Sequence, residues 1–97
     1  MKSETEDRIE RELVRLVERN GGLCLRWSYP GPSSEPDCII LLPGGRVLFA
    51  MIRRPTAAPM EARQKLWEKT LIEFGFRCYF IWGRRDLDYF RLAELME

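Results

Sequence analysis

The segment EPDCIILLPGGRVLFAMIRRP, Glu35 to Pro55, decides the fold. Two apolar runs, Cys38–Leu42 and Arg46–Arg53, flank Pro43-Gly44-Gly45. Both runs have strand length and are rich in branched and aromatic side chains, while proline and glycine are turn residues, so the segment predicts a tightly joined antiparallel hairpin. Strand side chains alternate between faces. Val47, Phe49, Met51 and Arg53 therefore share one face and Leu48, Ala50 and Ile52 the other, so that Met51 and Arg53 are expected to emerge together. Asp37 follows Pro36 at the start of the first strand.

Upstream of the hairpin, Ile9, Leu13, Leu16 and Val17 repeat at one-stripe spacing and predict an amphipathic helix from about Glu4 to Asn20. Asn20-Gly21-Gly22 ends it, because glycine accepts a left-handed cap at little steric cost. Leu23 to Tyr29 reads as a strand and Pro30-Gly31-Pro32-Ser33-Ser34 as a loop. Downstream, Arg54-Pro55 to Pro59 is a loop, and Met60 to Phe74 a helix with Trp67, Leu71 and Phe74 on one stripe. Arg77 to Trp82 makes a fourth strand, and a last helix runs from about Asp86 to Met96. If the fourth strand lies parallel to the third, the helix between them is a crossover, and the order is α-β-β-β-α-β with a C-terminal helix.

Ninety-seven residues with 45% hydrophobic content suit one domain, spanning 1–97, around a single modest core. The absence of histidine excludes histidine-based triads, metal sites and general bases, which leaves carboxylates, lysines, tyrosines and bound water for any chemistry. Cys24, Cys38 and Cys78 are odd in number and lack a C-x-x-C spacing, so they read as small core residues. No apolar run approaches the roughly 18–20 residues that span a bilayer, and the charged N-terminus has no signal-peptide core; no membrane partner and a cytoplasmic location are expected. The chain carries a net charge of only +1, so any basic footprint is local. Between residues 21 and 60, Arg26, Arg46, Arg53 and Arg54 stand against Glu35 and Asp37, a net of +2.

An ordered set of features extends over most of the chain: Glu6-x-x-Ile9, Gly21-Gly22, Arg26, Pro36-Asp37, Pro43-Gly44-Gly45-Arg46, the strand Phe49 to Arg53, Gln64, and Leu71 to Gly75. In order and approximate spacing the set resembles the virus-type replication-repair nuclease (VRR-NUC) domain, a branch of the PD-(D/E)xK phosphodiesterase superfamily. The chain departs from that pattern where Glu35 replaces a small residue, Arg26 a lysine, and Met51 and Arg53 the glutamate and lysine of the central triplet. Mg²⁺ does not accept a thioether ligand, and arginine keeps its proton.

The resemblance implies a restriction-endonuclease-like α/β fold and a Mg²⁺- or Mn²⁺-dependent deoxyribonuclease acting on branched DNA in phage or bacterial replication and repair. It implies a homodimer, placed in the cytoplasm of a bacterium or a phage-infected host cell. The implied catalytic residues are Asp37, Arg53 and Gln64, the implied metal ligands Asp37 and Glu6, and the nucleic-acid contacts Arg26, Arg46, Arg53 and Arg54. With Met51 and Arg53 in the triplet, the alternative is a DNA-binding derivative that no longer cuts. Several of these residues also have plain structural readings. Asp37 could cap a turn; Glu6 completes a capping box with Ser3; Gln64 suits a polar helix surface; Trp27 and Tyr29 suit a core as well as a stacked base. The proline-rich loop is either a connector or the place where a substrate backbone enters.

Overall fold

The structure, a computed structural model, describes residues 4–27, 37–52 and 62–96, without the side chains of residues 4–7, 27, 37 and 62–64. Helix α1 (Glu4–Arg19) is followed by β1 (Leu23–Trp27), β2 (Asp37–Leu42), β3 (Arg46–Ile52), α2 (Ala62–Glu73), β4 (Arg77–Ile81) and α3 (Arg84–Phe90), which runs on into a π-helical turn, Arg91–Leu95. The four strands form one sheet in the order β1-β2-β3-β4. β1, β2 and β3 are antiparallel neighbours, whereas β4 joins β3 in parallel, with α2 as the connection. This is the α-β-β-β-α-β order read from the sequence. No helix among the described residues is long and apolar enough to cross a membrane.

Hairpin alternation feeds two separate cores. Leu48, Ala50 and Ile52 point to the layer where α1 and α3 bring Ile9, Leu13, Val17, Leu87 and Phe90. Val47, Phe49 and Met51 point to the opposite layer, where α2 brings Leu71 and Trp67. Because β2 and β3 are covered on both faces, their continuous apolar runs are the pattern expected of central strands. The Pro43-Gly44-Gly45 loop closes the hairpin with φ of 84° and 75° at its two glycines, a region that side chains with a Cβ rarely enter.

Both α1 and α2 stop in the same way. Gly22 N–H donates to the Val17 carbonyl and Gly21 N–H to that of Glu18; in α2, Phe76 N–H donates to Leu71 and Gly75 N–H to Ile72. These are Schellman pairings, with Gly21 and Gly75 in the left-handed conformation. The second of them corrects one expectation. Phe74 is 74% exposed and does not share the buried stripe of α2; its N–H still donates to the Thr70 carbonyl, and the chain turns away at Gly75. Phe76, beyond the turn, takes the packing role and meets Phe49 edge to face at 5.4 Å.

Gly21 supplies the turn, and Gly22 is needed for closeness. A Cβ built there would sit 2.6 Å from the Leu41 carbonyl oxygen and 2.8 Å from both Val17 Cγ1 and Leu42 Cδ2. Gly22→Ala is expected to cost about 2–3 kcal/mol by overpacking. Gly44→Ala meets nothing within 4 Å and should cost only the left-handed strain, about 1 kcal/mol. Urea unfolding of the two variants with unchanged m-values checks the order.

Candidate functional site

Three of the expected site positions converge on one end of the α2 layer. β2 begins at Asp37, and the β2–β3 register, which pairs Cys38 with Ala50, brings position 37 beside Met51 at its next step. Alternation places 37 on the same face as Ile39 and Met51. Gln64 lies in the first turn of α2, the helix that packs on this face through Trp67 and Leu71. The side chains of Asp37 and Gln64 are not among those described, and Arg53, Arg54 and Glu35 lie outside the described residues altogether.

Met51 departs from expectation. It does not emerge at a surface beside Arg53 but is fully buried, in a cluster with Phe49 and Leu71, and is paired with Phe80 across β3 and β4. The apolar side chains of α2 and β4 close over the position. A hard cation needs oxygen donors, and here the register partner of Asp37 is a buried thioether. No three acidic or cysteine side chains converge on one point among the described residues. Met51, at the register position beside Asp37, therefore supplies no oxygen donor to a hard cation.

Glu6 and Arg26 belong to the other layer. Arg26 pairs with Cys38 on the α1 face, where its Nη2 lies 2.8 Å from Glu10 Oε2. Position 6, one helical turn before Glu10, is at the Asp37 end of the sheet but across it from Met51. Arg46 requires a larger correction. It opens β3 opposite Leu42, at the turn end of the hairpin, about 20 Å along the strand from the Asp37 end. Arg46 is therefore separated from the Asp37 end of the sheet by the length of β3.

A solved VRR_NUC domain superposes on 95% of this chain and 99% of its own, with a TM-score of 0.80 and 22% sequence identity. The chain has the VRR_NUC fold. No protein-family model matches it. "Putative nuclease p44" of Acyrthosiphon pisum secondary endosymbiont phage 1 is 35% identical over 54 residues, which cover 56% of this chain and 58% of that protein. The match thus spans little more than half of each chain.

In this VRR_NUC-fold chain the most polar buried group is one that the sequence reading did not single out. Glu94, in the π-helical turn, has a side chain with no exposure. Its carboxylate accepts from Arg46 Nη2 at 2.6 Å, from Arg77 Nη1 at 2.8 and 2.9 Å, and from the Tyr79 hydroxyl, while Arg46 also donates to the Glu94 carbonyl at 2.8 Å. Burial pushes this carboxyl up, but the bonds from Tyr79, Arg77 and Arg46 outweigh it and hold the group below the usual carboxylate range. Burial, and then the bond to Glu94, push the Tyr79 phenol up. A signal was present, since Glu94 follows Leu87 and Phe90 at the spacing of a buried helix stripe.

The cysteines keep their core reading. None of the three is in a disulfide, and Cys24 lies diagonally across β1 and β2 from Cys38, which foremost, with burial second, pushes the Cys24 thiol up. A thiol held protonated is a poor nucleophile and a poor metal ligand.

Two predictions follow from the two ends of the sheet. Glu94→Gln removes the charge of a buried acceptor whose two arginine partners are partly exposed and should cost about 1–2 kcal/mol at pH 7. Because the folded carboxyl titrates below its unfolded value, this contribution is complete above the ordinary carboxylate range and is lost as pH falls through the lowered value. The stability gap between wild type and variant, measured by urea unfolding, should therefore narrow in acid. Met51→Glu places a carboxyl where none of the described partners can hold it, so it should destabilise by about 3 kcal/mol at neutral pH and by less at pH 5, where the group is protonated. Millimolar Mn²⁺ should raise the Tm of Met51→Glu through the new carboxylate pair with Asp37 and leave that of the wild type unchanged, as thermal unfolding with and without chelator would record.

Proposed function

We propose that this chain is a nuclease of the VRR-NUC kind that acts on structured DNA, such as junctions and flaps, in phage or bacterial replication and repair. The observation that carries the reading is the likeness of fold along nearly the whole chain to a solved VRR_NUC domain. The phage relative named as a nuclease supports it. Asp37 is the carboxylate of the site and Gln64 the amide on the facing helix, with Arg53 and Arg54 offering guanidinium forks to phosphate and Arg26 at the same end of the sheet. Dependence on Mg²⁺ or Mn²⁺ is part of the proposal, with Asp37 as the protein's main contribution and substrate phosphates as the remaining oxygens. Pairing of two copies about a two-fold axis suits a branched substrate.

A second reading is a DNA-binding derivative that has lost hydrolysis. The burial of Met51 at the register position beside Asp37 favours it, because a core side chain occupies the place of a ligand.

Purified protein incubated with branched and linear DNA in Mn²⁺, Mg²⁺ or chelator separates the two. Metal-dependent cutting that disappears in Asp37→Ala supports the nuclease; salt-sensitive binding with no cutting in any metal supports the derivative. Neither binding nor cutting would defeat both.

A further inference from the structure

On the face of the sheet opposite Met51, α1 and α3 enclose an open groove of about 470 Å³ bordered by Arg15, Arg19, Arg84 and Arg91, with Glu12 and Asp88 as its acids. Its net charge of +2 exceeds the +1 of the entire chain. The groove has little apolar surface to offer a ligand, since Leu16 and Leu87 in its lining are 6% and 2% exposed. Two ion pairs cross or border it: Arg84 Nη2 to Glu12 Oε2 at 2.5 Å, and Arg91 Nη2 to Asp88 Oδ1 at 3.6 Å. Arg84 lends one guanidinium nitrogen to Glu12, and a guanidinium carries five N–H donors.

The sequence of α1 extends this surface. Arg8, Arg11, Arg15 and Arg19 recur every three or four residues and are all exposed, which makes a row of arginines along one flank of the helix, about 16 Å from end to end. Acids stand three or four residues from these arginines in the sequence, Glu4 from Arg8, Asp7 from Arg11, and Glu12 and Glu18 from Arg15, so like-charge repulsion along the row is partly offset within the helix. A row of planar forks at roughly 5–6 Å intervals, facing two further arginines across a groove, matches a repeating anion better than a single small one. The groove starts where α3 leaves the end of β4, which pairs with the last residue of β3, and so at the same sheet end as Asp37.

We propose that the α1–α3 groove binds the phosphate backbone of DNA as a contact separate from the Asp37 end of the α2 layer. The proposal rests on the reading of the chain as a DNA-acting protein and adds to it a second surface, on the other face of the sheet. A phosphodiester strand presents a charge about every 3.4 Å along a duplex axis, dense enough to engage several of these arginines at once.

The test is the salt dependence of DNA binding by the full chain. In Arg15→Gln with Arg19→Gln, which keeps side-chain length and helix propensity, the slope of log K against log salt should become shallower by about 2, and affinity at moderate salt should fall at least about tenfold. Circular dichroism should be unchanged. An unchanged slope, with wild-type binding intact, would overturn the proposal and leave the DNA-acting reading standing. An equal drop on replacing Lys65 and Lys69 of α2 by glutamine would trace the effect to net charge and overturn it as well. If the wild type binds polyglutamate but no DNA, and the arginine variant loses that binding, the groove takes an acidic protein segment, and the proposal fails together with the DNA-acting reading.

Discussion

The register of the β2–β3 hairpin is the constraint on which the rest of the structure depends. Cys38 faces Ala50, Ile40 faces Leu48, and each residue of β3 from Leu48 to Ile52 is buried on one side or the other. A slip of one residue would send Leu48, Ala50 and Ile52 into the α2 layer and Phe49 and Met51 into the α1 layer, and both cores would have to be repacked at once. Sheets with one solvated face can tolerate such slips more easily. Here helices cover both faces, so the glycine turn and the two cores all enforce the same pairing.

That pairing gives the two ends of the hairpin opposite characters. At the open end, where Asp37 begins β2, its neighbour in β3 is a thioether sealed beneath α2. At the turn end, an acid is buried instead, and Glu94 is held by two arginines and a tyrosine. A carboxylate is tolerated in a dry place only when donors meet it, and the turn end supplies four hydrogen bonds from the side chains of Arg46, Arg77 and Tyr79. Met51 has apolar neighbours in their place. Packing and metal chemistry thus compete for one position, and at residue 51 packing has the side chain.

The arginines follow the same division. Arg46 and Arg77 serve the buried acid, Arg26 bridges to α1 through Glu10, and Arg84 bridges α3 to α1 through Glu12. These contacts tie the helical layer and the π-helical turn to the sheet while leaving the guanidinium groups partly exposed. One residue type joins layers and presents charge outward, because its long stem packs while its planar head keeps donors to spare.

Much of this was legible in the sequence. Period-2 alternation from Val47 to Ile52 assigned every side chain of β3 to its face, the stripe Ile9-Leu13-Leu16-Val17 gave the buried side of α1, and glycines marked both helix ends. Those are local properties, set by backbone geometry within a few residues. What the sequence left undecided depends on distance across the fold. Met51 read as a site position because alternation fixes a face and says nothing of what covers it; α2, twenty residues onward, buries it. Arg46 is an expected nucleic-acid contact by resemblance alone, and β3 carries it to the turn end of the hairpin, where it donates to Glu94. Phe74 keeps the helical period yet lies exposed at the end of α2, and Glu94 showed its partners only when β3, β4 and the last helix met. Periodicity fixes which way a side chain faces; only tertiary packing decides what it meets there, since the partners come from segments that local sequence does not connect.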